Sequence, residues 1–328
     1  MASLKVFYGW VIVGAAMVVT CIGFGAMFSL GVFLQPMSAD TGWSRTGIST
    51  AALLNFLCMG VGSLVWGALS DRLGTRVVVL LGGTLIGLGT VMASRAATLG
   101  QFQIFFGVVV GFAAGSLYAP LTATTTRWFT RNRSLAVALV SAGLGLGSTT
   151  TAPLARWIIT NYDWRTAMLV IGIVALALLI PASFLVRPAP EAASPAATGA
   201  KRVLLAGLAL QAVAITFYLG TSELWHFYGA ALVFGFAYGG VMPLYAILVR
   251  EYFGARIMGT IFGAVGFVST LGMALGPWAG GWLYDTLGGY FWLYIGSFGI
   301  GLGAVAIAIT FRPPRREPAA MPAPSLAH

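Results

Sequence analysis

Ten stretches of this 328-residue chain contain no Lys, Arg, Asp or Glu, and each is long enough to cross a lipid bilayer: 8–34, 46–70, 77–94, 102–126, 134–155, 166–186, 203–222, 224–249, 257–284 and 286–311. A helix needs about 20 apolar residues to span the hydrocarbon core. A charge at the bilayer centre costs about 2.5–3.5 kcal/mol on insertion scales. A water-soluble domain does not keep its charges out of so many long windows. The pattern therefore predicts an all-α membrane protein and argues against a soluble enzyme. A β-barrel is excluded on the same ground, because its strands alternate over about ten residues and these runs are longer and uniformly apolar.

Composition adds two points. Only 8% of residues are charged, yet the net charge is +10. On a soluble protein that excess would suggest nucleic acid as a partner; here the basic residues fall between the apolar runs, so nucleic acid is not expected. Their distribution gives an orientation instead. Of the 18 Lys and Arg residues, only Arg45, Arg95, Arg156 and Arg165 fall on one side of the predicted membrane. Basic loops stay in the cytoplasm, so both termini are expected there. The first apolar run is too long for a signal-peptide core and reads as a permanent helix. Cys21 and Cys58 lie inside helices and read as packing residues.

The chain divides at a Pro- and Ala-rich segment, 187–201, which reads as a cytoplasmic linker. Six helices precede it (1–186) and four follow (202–312), with a disordered cytoplasmic tail at 313–328. The two parts repeat one another. Gly111-Phe112-Ala113-Ala114-Gly115 recurs as Gly235-Phe236-Ala237-Tyr238-Gly239, and Phe129 and Pro153 recur as Phe253 and Pro277, all at a shift of 124 residues. Three helices precede the Gly111 helix in the first part, but only one precedes the Gly235 helix in the second. Counterparts of helices 1 and 2 are thus missing from the second part, giving 3+3+1+3 where symmetry would give 3+3+3+3.

The run Gly67-Ala68-Leu69-Ser70-Asp71-Arg72-Leu73-Gly74-Thr75-Arg76 lies between helices 2 and 3. It resembles the loop motif of the major facilitator superfamily. That resemblance implies a bundle of about ten transmembrane helices (six plus four) in which this loop holds the cytoplasmic side shut, with Gly67, Asp71, Arg72, Gly74 and Arg76 as its gating residues. From the residues alone, Asp71 is expected near the N-terminal end of helix 3 or beside a neighbouring Arg. Within the superfamily, Phe7-Tyr8-Gly9-Trp10, Trp128-Phe129 followed by Arg131 and Arg133, and Glu251-Tyr252-Phe253-Gly254 resemble the monocarboxylate transporter group and its oxalate/formate-exchanger-like relatives. The resemblance implies secondary-active or facilitative transport of a small organic solute, a monocarboxylate above all, by alternating access, with a coupling proton and an inner or plasma membrane location. The group usually carries a substrate-anchoring Arg and a proton-coupling Asp on its eighth helix, which is one of the missing pair.

Polar residues inside the windows are the candidates for a substrate cavity. Asn55 reads equally as cavity lining or as a helix–helix hydrogen bond. Tyr118 has Thr122 one turn further on, and the resemblance implies an aromatic at the cavity where Tyr118 stands. Tyr238 and Tyr245 are seven apart and share a helix face. His226, at a helix end beside Trp225, reads as interfacial, and Trp43, Trp157, Trp164 and Trp292 read as interface anchors. No His/Cys/carboxylate cluster or phosphate loop points to a metal, a nucleotide or an enzyme. Three functions stay open: a monocarboxylate transporter, a transporter of an uncharged solute, and a transport-deficient homologue serving as a binding or assembly subunit.

Overall fold

The computed structural model describes residues 7–129, 132–188, 200–221, 223–254, 257–287 and 289–311. The tail expected at 313–328 and most of the linker expected at 187–201 lie outside them. Ten helical rods run through the described residues: α1 (Tyr8–Thr41), α2 (Arg45–Leu73), α3 (Thr75–Ser94), α4 (Leu99–Trp128), α5 (Arg133–Asn161), α6 (Trp164–Leu185), α7 (Ala200–Phe217), α8 (Leu224–Phe253), α9 (Met258–Leu287) and α10 (Phe291–Thr310). Among the described residues, nine stretches are long and apolar enough to cross a membrane. The 30-residue α8 contains the tenth charge-free window.

Helix boundaries follow local chemistry. Ser44 caps α2 by accepting from Gly47 N–H, and Asp163 caps α6 by accepting from Thr166 N–H. Between α2 and α3 the chain turns at Gly74, with φ +85°, a conformation that a side chain would strain. Helix α1 outruns its predicted window: its hydrogen-bond ladder loosens at Ser29, and it then continues through Pro36 to Thr41. Lys201, expected in the linker, stands in the first turn of α7. Its Nζ donates to the Ile309 and Phe311 carbonyls at the end of α10, where a cation complements the helix dipole.

The interior of α4 departs from regular winding. Residues Gln103–Val110 form a π-helical stretch, whose wider turn leaves carbonyls out of the usual i→i−4 ladder. Within this stretch, Phe106 O accepts from Asn55 Nδ2 at 2.7 Å. Close helix approach supports the same seam: a Cβ on Gly62 would collide with the Phe112 carbonyl, and one on Gly115 with the backbone of Gly62 and Ser63. Trp66 Nε1 donates to Phe112 O at 3.0 Å. Small residues let membrane helices meet in this way, and α2 is pinned to α4.

The internal repeat is visible in the packing. Helix α3 packs on α4 and α6, and α7 packs on α8 and α10 in the same pattern. The difference between the parts is equally informative. A Cβ on Gly111 would run into Asn55 of α2, whereas one on Gly235, its counterpart in α8, would meet open space. Phe112 packs on Trp66 at 5.5 Å, while its counterpart Phe236 is 80% exposed. Among the described residues no helix covers α8 as α2 covers α4. Helix α9 is affected too. Its counterpart α5 packs along α1, but α9 has no such partner among α7, α8 and α10. It lies chiefly along α2 and touches α8 and α10 only marginally.

The largest core cluster fills the space among α1 to α6, with Phe33, Phe102, Phe106, Leu121 and Met168 fully buried. A smaller one joins α7, α8 and α10 through Leu204, Leu208, Val241, Leu244 and Leu248. Two of the tryptophans expected as interface anchors belong to the packing instead. Trp164 is 2% exposed and donates Nε1 to Asp40 Oδ2 at 2.9 Å, and Trp43 packs against it at 6.3 Å between centroids. Burial against a carboxylate at the end of α1 outcompetes the lipid interface for that indole N–H. Trp157 and Trp292 are exposed, as is His226 at the start of α8.

Candidate functional site

The two parts meet along α2 and α9. Ser63 Oγ donates to Gly263 O at 2.9 Å. Gly67, Gly259 and Gly263 bring the two backbones so close that a Cβ on any of them would strike the other helix. At the end of this seam stands Asp71. Oδ2 accepts from the Thr260 N–H at 2.8 Å and from its hydroxyl at 2.9 Å. Oδ1 accepts from the Gly259 N–H at 3.1 Å and from Arg127 Nη2 at 3.3 Å. The carboxylate therefore sits on the N-terminus of α9, where unsatisfied N–H groups and the helix dipole favour an anion. A helix N-terminus was the expected setting, but the helix is α9 from the second part rather than α3. The Arg that pairs with Asp71 is Arg127 at the end of α4, not Arg72 or Arg76 beside it. Arg76 instead lies over the Phe184 ring at 4.8 Å, joining α3 to α6, and Arg72 is exposed.

Behind this latch lies an apolar layer between the parts: Ala119 and Ala123 of α4, Ala246 and Val249 of α8, and Met258 and Phe262 of α9. Thr126 Oγ1 donates to Met258 Sδ at 3.4 Å, which adds a second polar tie beside the latch. Such a layer excludes water, which strengthens the ionic contacts at its edge.

Deeper again is a cluster of hydroxyls. Tyr118 opens the last segment of α4, directly after the ladder breaks at Gly115–Leu117. Its Oη shares a hydrogen bond of 2.9 Å with Ser141 Oγ of α5, and its ring packs on Phe262 of α9 at 6.0 Å. Tyr245, seven residues from Tyr238 on the same face of α8, packs against both the α7–α8–α10 cluster and the apolar layer between the parts. Thr122 neighbours Tyr118 and is fully buried, and its Oγ1 is in no well-formed hydrogen bond among the described residues. Tyr118 and Tyr245 are thus brought together on the layer where α4, α8 and α9 converge, with Thr122 one turn from Tyr118 and Tyr238 two turns before Tyr245. Asn55 stands apart, 1% exposed between α2 and α4. Sequence reasoning passed over Ser141, Gly259 and Thr260. Nothing marks Ser141 among the many hydroxyls of α5, and the role of Thr260 depends on a residue 189 positions away.

Comparison with known proteins fits this geometry. A family model described as Major Facilitator Superfamily matches residues 16–200 and again 196–327. The chain belongs to that superfamily. Superfamily relatives include rat monocarboxylate transporter 13, 34% identical over 181 residues, which covers 55% of this chain and 42% of the relative. Mouse monocarboxylate transporter 11 is 32% identical over 203 residues, 62% of this chain and 45% of that protein. These matches span under half the length of the relatives. Two solved superfamily structures share the fold. The proton:xylose symporter XylE, bound to 6-bromo-6-deoxy-D-glucose, superposes with a TM-score of 0.72 at 12% identity, covering 93% of this chain and 96% of that one. The human organic anion transporter MFSD10 does so with 0.68 at 14%, covering 92% and 99%. The relatives are transporters rather than enzymes, and the chain is a multi-pass membrane protein.

Proposed function

We propose that this chain carries a small organic solute across a plasma or inner membrane by alternating access, with both termini cytoplasmic and a proton as coupling ion. A monocarboxylate is the favoured solute class, on the strength of the monocarboxylate transporter relatives. The observation that carries the reading is the latch of Asp71 on the N-terminus of α9. It spans the two parts, lies at the end bearing most of the basic residues, and seals the path below the Tyr118 cluster. In this reading the Asp71 end is cytoplasmic and shut, and the solute enters from the other side. Transport requires the latch to open and α9 to separate from α2. Purified chain reconstituted in liposomes should show saturable uptake of labelled lactate above protein-free vesicles; its absence for lactate and other small organic solutes would remove the transporter reading.

One observation favours a second reading, in which the chain binds a solute or a partner without transport. Helix α9 has lost its seat in its own half and rests on α2, so the two halves do not form equal rigid bodies that can rock. Saturable solute binding without flux in the same vesicles would support it.

A further inference from the structure

The charge-free windows and the hydroxyl cluster together restrict the form in which a solute can be held. Resting on the reading of that cluster as the solute site, we infer that Tyr118, Thr122, Ser141, Tyr238 and Tyr245 bind an uncharged group whose oxygens both donate and accept hydrogen bonds. For a monocarboxylate this is the undissociated acid rather than the anion. Tyr118 meets Ser141 of α5 and Phe262 of α9 and shares an apolar layer with Tyr245 of α8, while Thr122 stands one turn on along α4 and Tyr238 two turns before Tyr245. The windows they belong to, 102–126, 134–155, 224–249 and 257–284, contain no Lys, Arg, Asp or Glu, and their single histidine, His226, is exposed in the first turn of α8, twelve residues before Tyr238.

The cations nearest to the cluster along its helices flank the charge-free windows, and Arg250 stands five residues beyond Tyr245, about 8 Å along α8. Arg127 is nine residues from Tyr118, about 13 Å along α4 at 1.5 Å per residue, and is engaged by Asp71. Arg133 is eight residues before Ser141, about 12 Å along α5, and donates Nε to Phe129 O. A carboxylate desolvated among these hydroxyls would find no cation within the windows themselves, and unpaired buried charge is heavily penalised. A protonated carboxyl group offers one O–H donor and an acceptor oxygen. Hydroxyls can satisfy both, since each donates once and accepts twice. Thr122 Oγ1, fully buried one turn from Tyr118 and in no well-formed hydrogen bond, is placed to do so.

The test uses the full chain in liposomes and labelled lactate at one total concentration, at pH 5 and pH 7, with lactamide as competitor. Lactamide replaces the acid by an amide that is neutral at both pH values. Protein-dependent uptake should fall roughly a hundredfold between the two, following the neutral acid at about tenfold per unit above its pKa. Lactamide should compete equally well at both. The Tyr118→Phe variant should weaken lactamide competition about tenfold. Mannitol competing in place of lactamide would uphold the same hydroxyl recognition and assign it to a polyol. Saturable lactate uptake that is equal at both pH values and untouched by lactamide would overturn the inference and leave the transporter reading standing. If flux is absent but lactamide or mannitol still quenches the tryptophan fluorescence of the solubilised chain, the site survives and the transporter reading fails. If none of the three is transported or bound, both fall.

Discussion

Asp71 holds Thr260 by two hydrogen bonds, to its backbone N–H at 2.8 Å and its hydroxyl at 2.9 Å, and so fixes the start of α9 to the end of α2. With 10% of its side chain exposed, this carboxylate joins the two parts of the chain where their separation would open one end of the bundle.

Replacing Asp71 by Asn removes the charge that the α9 N-terminus and Arg127 both favour. Hydrogen bonds to a charged group are worth about 1.5–3 kcal/mol, and the neutral amide recovers part of that. The latched state should lose about 1–2 kcal/mol, which is about a 5- to 30-fold change in the ratio of latched to open forms. Lactate uptake should fall while the purified yield stays near that of the parent. Hydrogen exchange at the Gly259 and Thr260 amides should rise. Unchanged uptake and unchanged exchange would remove the loop from the mechanism.

Gly115→Leu should be poorly tolerated. Its side chain would be driven into the backbone of Gly62 and Ser63, and overpacking of this kind costs about 1–3 kcal/mol. Gly235→Leu, on the repeat-related helix, should be close to neutral, because nothing lies within 4 Å of its added Cβ. Thermal unfolding in detergent measures both. Equal destabilisation would mean that the Gly235 face of α8 is covered after all.

Asn55→Leu separates a packing role from a binding role. The Asn55 amide bonds to Phe106 O between α2 and α4, away from the Tyr118 cluster. Interhelical side-chain bonds in membranes average about 0.6 kcal/mol. A small fall in melting temperature with unchanged lactate affinity is expected from paired melting and uptake curves. Lost affinity at unchanged stability would move Asn55 into the site.

Asp163 caps α6, and the Thr166 N–H holds its carboxyl below the usual carboxylate range. A depressed folded pKa adds stability above the unfolded value near 4, and that stability is lost as pH falls through the folded pKa. Because the group is largely exposed, the contribution should sit at the low end for a cap, about 0.5 kcal/mol. Asp163→Ala should therefore melt slightly earlier than the parent at pH 6, and the gap should close as pH falls through the lowered pKa of the folded carboxyl. A gap that persists at low pH would deny the charge a role.

Most of the fold is legible in the sequence because lipid makes one demand above others, that charges stay out of the spans. The ten charge-free windows coincide with α1 to α10, and the missing pair follows from the 124-residue repeat. Gly235, open where Gly111 is packed, carries the same message in three dimensions. The site is less legible. Tyr118 and Thr122 share a helix face and can be paired by spacing, but Ser141 looks like any other hydroxyl of a glycine-rich helix. Asp71 announces itself by its loop motif, yet its partners Gly259 and Thr260 depend on how the halves dock, which no local pattern encodes. The end of α1 is also illegible: a window bounded before Pro36 gives no sign that the helix continues to Thr41 or that Asp40 will meet Trp164.

The most direct measurement locks the latch. In a chain with Cys21 and Cys58 replaced by Ser, Thr126→Cys and Met258→Cys put two thiols on positions whose native side chains touch across the parts, Oγ1 to Sδ at 3.4 Å. Lactate uptake into liposomes should be present in the reduced protein, abolished on oxidation and restored by dithiothreitol. Undiminished uptake by the fully cross-linked chain would contradict opening at Asp71 and α9 as a step in transport.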